Sequence, residues 1–376
     1  MLVARELSAG GARVTLLERG ELGKEASWAG GGILSPLYPW RYHDAVTALS
    51  RWSQRHFPRL ADELVAETAI DPEWLPSGLL IPEAGEIATA AQWAQRWDIA
   101  LETIPGGRLV ELEPELASGR AEAEEGIWLP NVAQVRNPRL LKALARSLEV
   151  HGVEIKTHAE VVEFIAQGDA IQGVRTREES LCAAGVVVAA GAWTTTLLGP
   201  LAGADWQITP VRGQMLLFHA EPGLVRHIVL RDGHYLVPRR DGRVLAGSTL
   251  EYVGFDKSTT HQAHDELHAA ALALIPRLAR CPVELQWAGL RPGSPQGIPL
   301  IGQHPRWQGL YLNVGHFRNG VVTGPASARL LADMIFARPP CVDPAQELLE
   351  PRHGIDEQSR LGLEAQHHTA LVGVVQ

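Results

Sequence analysis

Apolar residues Leu2, Val3 and Leu7 recur at helical spacing and stop at Gly10-Gly11. The pattern predicts a short amphipathic helix closed by glycine, which reaches the left-handed cap conformation freely. The next run, Ala12-Arg13-Val14-Thr15-Leu16-Leu17, is β-prone and shows too little alternation for a half-exposed strand. It predicts a buried parallel strand ending on the carboxylate of Glu18. Helix, tight turn, buried strand and terminal acid form the second half of a dinucleotide-binding βαβ unit. In such a unit the acid lies about 20 residues beyond a G-x-G-x-x-G turn and binds the adenosine ribose. Counting back from Glu18 passes Met1, so the first strand and glycine turn of that unit are expected to be absent.

After Trp52 the pattern turns to helical segments rich in Ala, Leu, Trp and Glu, broken at Pro72, Pro76, Pro82 and Pro105, as expected of an inserted lobe. A helix over Leu140 to Val150 leads through Gly152 into short strands at 153–155 and 161–162, then a buried strand at 185–191, so α/β alternation resumes. From Pro210 to Thr249 short strands predict an antiparallel sheet, with Asp232-Gly233 and Asp241-Gly242 as hairpin turns. A helix over 263–280 follows. The last predicted unit is a strand at 309–314, a glycine-flanked turn, and a helix with Pro325 in its first turn that runs to Ala337. Beyond Pro351 the chain is polar and unpatterned, which predicts a tail.

The length of 376 residues calls for two or three domains, and 45% hydrophobic with 20% charged residues places the chain among globular proteins. A net charge of −9 without a basic block argues against nucleic acid, and an anionic substrate would need local arginines. Cys182, Cys281 and Cys341 are widely spaced, so neither a disulfide framework nor a zinc site is indicated. No apolar run reaches membrane-spanning length and no leader pattern opens the chain, so the expected location is the cytoplasm, away from membranes. His261, His264 and His268 share helical spacing without a completing acid or thiol and read as a solvated face. The acidic run Glu122, Glu124, Glu125 reads as an exposed turn.

Two stretches narrow the reading. Ala26-Ser27-Trp28-Ala29-Gly30-Gly31-Gly32-Ile33-Leu34 follows the Glu18 strand, and its three glycines let backbone approach a flat ring. Gly315-His316-Phe317-Arg318-Asn319-Gly320 stands between a buried strand and a helix, where amide groups and the helix dipole can face an anion. In this order the two stretches resemble the flavin-cradling segment and final loop of glycine oxidases in the FAD-dependent D-amino acid oxidase family. The resemblance spans residues 1–340, including "YLVPRRDGRVLAGST" and "GLRPGSPQGIPLIG". It implies an α/β fold: a Rossmann-like FAD-binding domain over 1–45, 139–200 and 286–340, and a substrate domain with an antiparallel sheet and helices over 46–138 and 201–285. The tail then covers 341–376.

The resemblance also assigns roles. FAD would contact Glu18, Arg19, Ala26, Ser27, Gly31, Gly32, Ile33 and Val161, together with Gly315, His316, Phe317, Arg318, Asn319, Gly320, Val321 and Val322. Arg291, Tyr235 and Arg318 would hold the substrate carboxylate, for which a guanidinium supplies two parallel hydrogen bonds. Hydride transfer to a flavin needs positioning more than an acid or base, so no catalytic acid–base residue is expected. The implied reaction converts glycine, sarcosine or small D-amino acids with O2 to a 2-oxo acid, ammonia and hydrogen peroxide, and in bacteria serves thiazole formation for thiamine. The family also implies a homo-oligomer. A D-amino acid or sarcosine dehydrogenase using another acceptor, and a flavin-free binding protein, remain as alternatives.

Overall fold

The computed structural model describes residues 1–116, 125–201, 207–343 and 370–375. Its first layer is a six-stranded sheet in the order 300–303, 310–314, 185–188, 370–375, 13–18, 154–156. All neighbours in this sheet are parallel except Leu300–Gln303, which runs antiparallel to Leu310–Val314 at the edge. The opening helix Leu2–Ala9 and the strand Arg13–Glu18 form as the apolar pattern requires. Leu7 of that helix, Leu16 of the strand, and Leu330, Leu331 and Ile335 of the helix Gly320–Ile335 share one core cluster.

The C-terminal residues depart from the sequence reading. Ala370–Val375 is no tail: it is a strand that runs parallel between Arg13–Glu18 and Gly185–Val188, with Arg13 opposite Ala370 and Gly185 opposite Leu371. The apolar run is only six residues long and stands behind a polar stretch, which hid it. Physically it completes hydrogen bonding along two strands that would otherwise present bare edges to each other. Residues 344–369, within the remainder of that tail, lie outside the described set, as do Glu122 and Glu124.

The second layer is an eight-stranded sheet in the order 283–293, 209–219, 243–247, 234–238, 228–231, 79–81, 126–129, 102–104. Both anticipated hairpins form. Asp232 and Gly233 adopt positive φ values of 49° and 76° between the strands Ile228–Arg231 and His234–Pro238, as a tight hairpin turn requires. The strand Val283–Gly293 runs through the expected border at residue 286 and pairs with Thr209–His219 up to Gly293, so Arg291 belongs to this second sheet, which is antiparallel except where Ile228–Arg231 pairs parallel with Leu79–Ile81. A three-stranded meander, 161–167, 170–176 and 180–182, packs Val161, Ile171 and Val174 against Leu17, Val186 and Leu310 of the first sheet.

Two long helices pack on each other beside the first sheet. Asp44–Thr68 lies against Gly320–Ile335, and the hydroxyl of Ser53 accepts the Ala326 amide at 2.9 Å. The second helix begins at Gly320, so Pro325 lies inside it rather than in its first turn. Among the described residues no helix is long and apolar enough to cross a membrane, and no group of three potential metal ligands forms.

Candidate active site

A cavity of about 340 Å³ opens between the two sheets. One wall is the segment Ala26 to Ile33, with Ala26, Ser27, Gly31, Gly32 and Ile33 all lining it. Facing it are Gly315, His316, Phe317, Arg318, Gly320 and Val321, and the antiparallel sheet contributes Tyr235 and Arg291. Residues separated by almost the whole sequence thus share one space. Glu18, Arg19, Val161, Asn319 and Val322 stand outside its lining. Glu18 ends its strand as anticipated and accepts the Gly20 amide at 2.8 Å, while burial pushes its carboxyl pKa up. The Arg19 guanidinium lies 4.3 Å from the centre of the Trp193 ring. Val161 and Val322 are core residues, and Asn319 is buried at the start of the helix.

Glycine at selected positions makes this geometry. A Cβ on Gly32, whose φ is +76°, would meet the Val135 carbonyl oxygen at 2.0 Å and Asn137 Oδ1 at 2.8 Å. A Cβ on Gly213 would stand 2.2 Å from the Arg291 guanidinium. The backbone of 209–219 therefore serves as the floor on which Arg291 lies. Gly213→Ala is expected to displace that guanidinium and raise KM for a carboxylate substrate about tenfold or more, while the thermal midpoint moves little. Steady-state kinetics beside a melting curve checks both, and an unchanged KM would show that Arg291 is not held from below.

Arg291 Nη2 donates to Ser248 Oγ at 2.7 Å, and Nη1 donates to the Thr249 carbonyl at 3.0 Å. Both acceptors are neutral, so the cation is positioned without a direct carboxylate bond from these partners. Burial lowers its pKa, and nearby Arg318 lowers it further. Two guanidinium groups directed to one space favour an anion there. The Tyr235 hydroxyl donates to Met215 Sδ at 3.3 Å, a weak acceptor that a substrate oxygen can replace.

His316 is fixed at both nitrogens, with Nε2 at 2.9 Å from Asn313 Oδ1 and Nδ1 at 3.0 Å from Thr323 Oγ1. The Thr323 hydroxyl donates its one proton to the Asn319 carbonyl at 2.9 Å, so toward Nδ1 it presents a lone pair, while the amide oxygen of Asn313 accepts from Nε2. Burial lowers its pKa from 6.5 to about 4. The unfolded chain thus binds this proton more readily, and the stability associated with neutral His316 is present above about pH 6.5 and lost as pH falls toward 4. Urea midpoints at pH 7 and 5 should differ less in His316→Gln than in the parent; equal differences would remove this group from the acid response.

The sequence reading missed Gly213, Met215, Ser248 and Arg239. The last lies in the quoted stretch "YLVPRRDGRVLAGST", yet nothing in composition separates it from its exposed neighbour Arg240.

The walls suit a flat, partly anionic ring system. Glycine backbone forms one face, the first turn of a 16-residue helix opens toward the other, and buried Asn137 Oδ1 in the lining has no protein partner. These features fit a flavin. A family model described as FAD dependent oxidoreductase matches residues 1–334. The chain belongs to that family and is a FAD-dependent oxidoreductase by fold and membership. Within it, the chain is 47% identical over 346 residues to a glycine oxidase of Pseudomonas aeruginosa, covering 92% of this chain and 94% of that protein. It is 29% identical over 341 residues to the bifunctional protein ThiO/ThiG of Trichormus variabilis, covering 89% of this chain and 51% of that protein. The crystal structure of glycine oxidase from Geobacillus kaustophilus superposes with a TM-score of 0.85 at 27% identity, covering 94% of this chain and 96% of that one.

Proposed function

We propose that this chain oxidises glycine, and with it small amines such as sarcosine or small D-amino acids, to the 2-oxo acid. The observation that carries the reading is the meeting of Arg291, Tyr235 and the Gly30 to Gly32 segment in one cavity. Arg291 and Arg318 hold the carboxylate; Arg291 gives up its bond to Ser248 and turns two parallel donors toward the substrate. The Tyr235 hydroxyl adds a third donor to a carboxylate oxygen. Fastened at this end, the amino acid presents its α-carbon to the glycine-lined wall, and the gain is one of orientation. FAD held between the Gly30 to Gly32 segment and the Gly315 to Gly320 loop would supply the two-electron acceptor, with O2 as the final oxidant. Glycine, O2 and water then yield glyoxylate, ammonia and hydrogen peroxide, with water entering when the imine hydrolyses.

The relationship to ThiO/ThiG supports a role in supplying the imine for thiamine thiazole synthesis. Purified protein reconstituted with FAD and given glycine should consume O2 and release peroxide and ammonia in equal amounts. Turnover with an artificial acceptor but none with O2 would replace the oxidase by a dehydrogenase. A chain that binds no FAD would leave the flavin-free reading.

A further inference from the structure

We infer that Arg239 is a positioning residue that latches the Gly30 to Gly32 wall to the substrate sheet. Its side chain is buried at 7% exposure, just beyond the strand His234–Pro238. From there Nη2 donates to the Gly31 carbonyl at 2.8 Å. Nη1 donates to Gln134 Oε1 at 2.7 Å and to the Val135 carbonyl at 2.9 Å. One planar cation therefore gathers three neutral oxygens from two segments.

The same two segments are paired directly. Val135 N donates to the Gly32 carbonyl at 2.9 Å, Leu34 N donates to the Ala133 carbonyl at 2.9 Å, and Ile33 bridges Gln134. Gln134 is tied in turn to Ser77 Oγ at 2.6 Å. The glycine wall is thus a short two-stranded patch closed from beneath by Arg239. Three consecutive glycines would otherwise leave this stretch with a wide choice of backbone conformations.

The nearby acids Glu73 and Asp241 hydrogen-bond Arg136, and they reach Arg239 only through space. A buried guanidinium without a direct carboxylate bond is costly unless other acceptors take its donors, and here carbonyl oxygens take three of its five N–H groups. Burial brings its pKa to about 10, so the cation persists at neutral pH. A lysine carries the same charge but cannot span the same fork of acceptors.

The inference rests on the flavin-site reading for its functional part, while the latch itself can be tested without cofactor. In cofactor-free protein, hydrogen exchange of the amides of Val135 and Leu34 reports closure of the patch. Arg239→Met should speed their exchange about tenfold or more, and Arg239→Lys should restore part of the protection. After FAD is added, kcat per bound flavin should fall about tenfold or more in Arg239→Met, with KM for glycine within about threefold of the parent because Arg291 lies on a different strand. A merely structural loss would reduce the folded fraction without changing kcat per bound flavin. Unchanged exchange at both amides in a folded Arg239→Met overturns the latch. Should Arg239→Met not fold, Gln134→Leu removes one acceptor; unchanged exchange at Val135 and Leu34 in that variant overturns the latch equally. Failure of the parent protein to bind FAD would overturn the flavin-site reading and leave the exchange result standing.

Discussion

Arg291→Ala is expected to lower kcat/KM for glycine by about two to three orders of magnitude, chiefly through KM, with the flavin spectrum unchanged. The magnitude follows from the loss of two charge-assisted hydrogen bonds to a desolvated carboxylate, each contributing about 1.5–3 kcal/mol, with the sum reduced because Arg318 still faces the site. Arg291→Lys should recover only part of the loss, since an ammonium keeps the charge but not the paired geometry. The free protein loses little by the change, because the groups released are one hydroxyl, Ser248, and carbonyl oxygens such as that of Thr249. Of these, Ser248 lines the cavity. The decisive comparison is between glycine and a small amine lacking the carboxylate: Arg291→Ala should narrow the gap between them. An equal loss on both substrates would mean that Arg291 shapes the pocket rather than holding the carboxylate.

The sequence made some parts of this arrangement legible for a physical reason. Local pattern marks elements whose residues satisfy one another nearby. The helix Leu2–Ala9, the strand ending at Glu18 and the two Asp-Gly hairpins all carry their cause within a few residues. Arg291 and the Gly315 to Gly320 loop were found through family motifs, because a lone arginine beside a proline carries no local signal of its partner. What stayed hidden depends on distant chain. Gly213 reads as an ordinary strand glycine until Arg291 is laid across it, and Arg239 reads as surface charge until the Gly31 carbonyl arrives over it. The course of Val283–Gly293 is another case, since its membership in the antiparallel sheet depends on pairing with Thr209–His219 rather than on its own apolar pattern.

Ala370–Val375 is the extreme example, and it carries the second large prediction. The strand pairs on both sides, so its neighbours Arg13–Glu18 and Gly185–Val188 depend on it for hydrogen bonds and for packing. Leu371 is 2% exposed and belongs to the cluster that includes Leu16, Leu330 and Leu331. A Cβ on Gly185 would approach its Cδ2 to 2.7 Å, so the neighbouring strand carries glycine where this side chain lies. Leu371→Asp would place a carboxylate among the apolar side chains of that cluster. The site must then keep the acid protonated, open to water or release the strand, and each route costs several kcal/mol. We expect a loss of at least about 3 kcal/mol in urea unfolding, against about 1 kcal/mol for the volume-conserving Leu371→Met. The Glu18 strand belongs to the same sheet and pairs with this strand directly, so FAD affinity should fall with stability in Leu371→Asp and hold in Leu371→Met. A stability change below about 1 kcal/mol for Leu371→Asp would mean that the strand contributes nothing to the sheet in solution, and that Arg13–Glu18 and Gly185–Val188 are completed in another way.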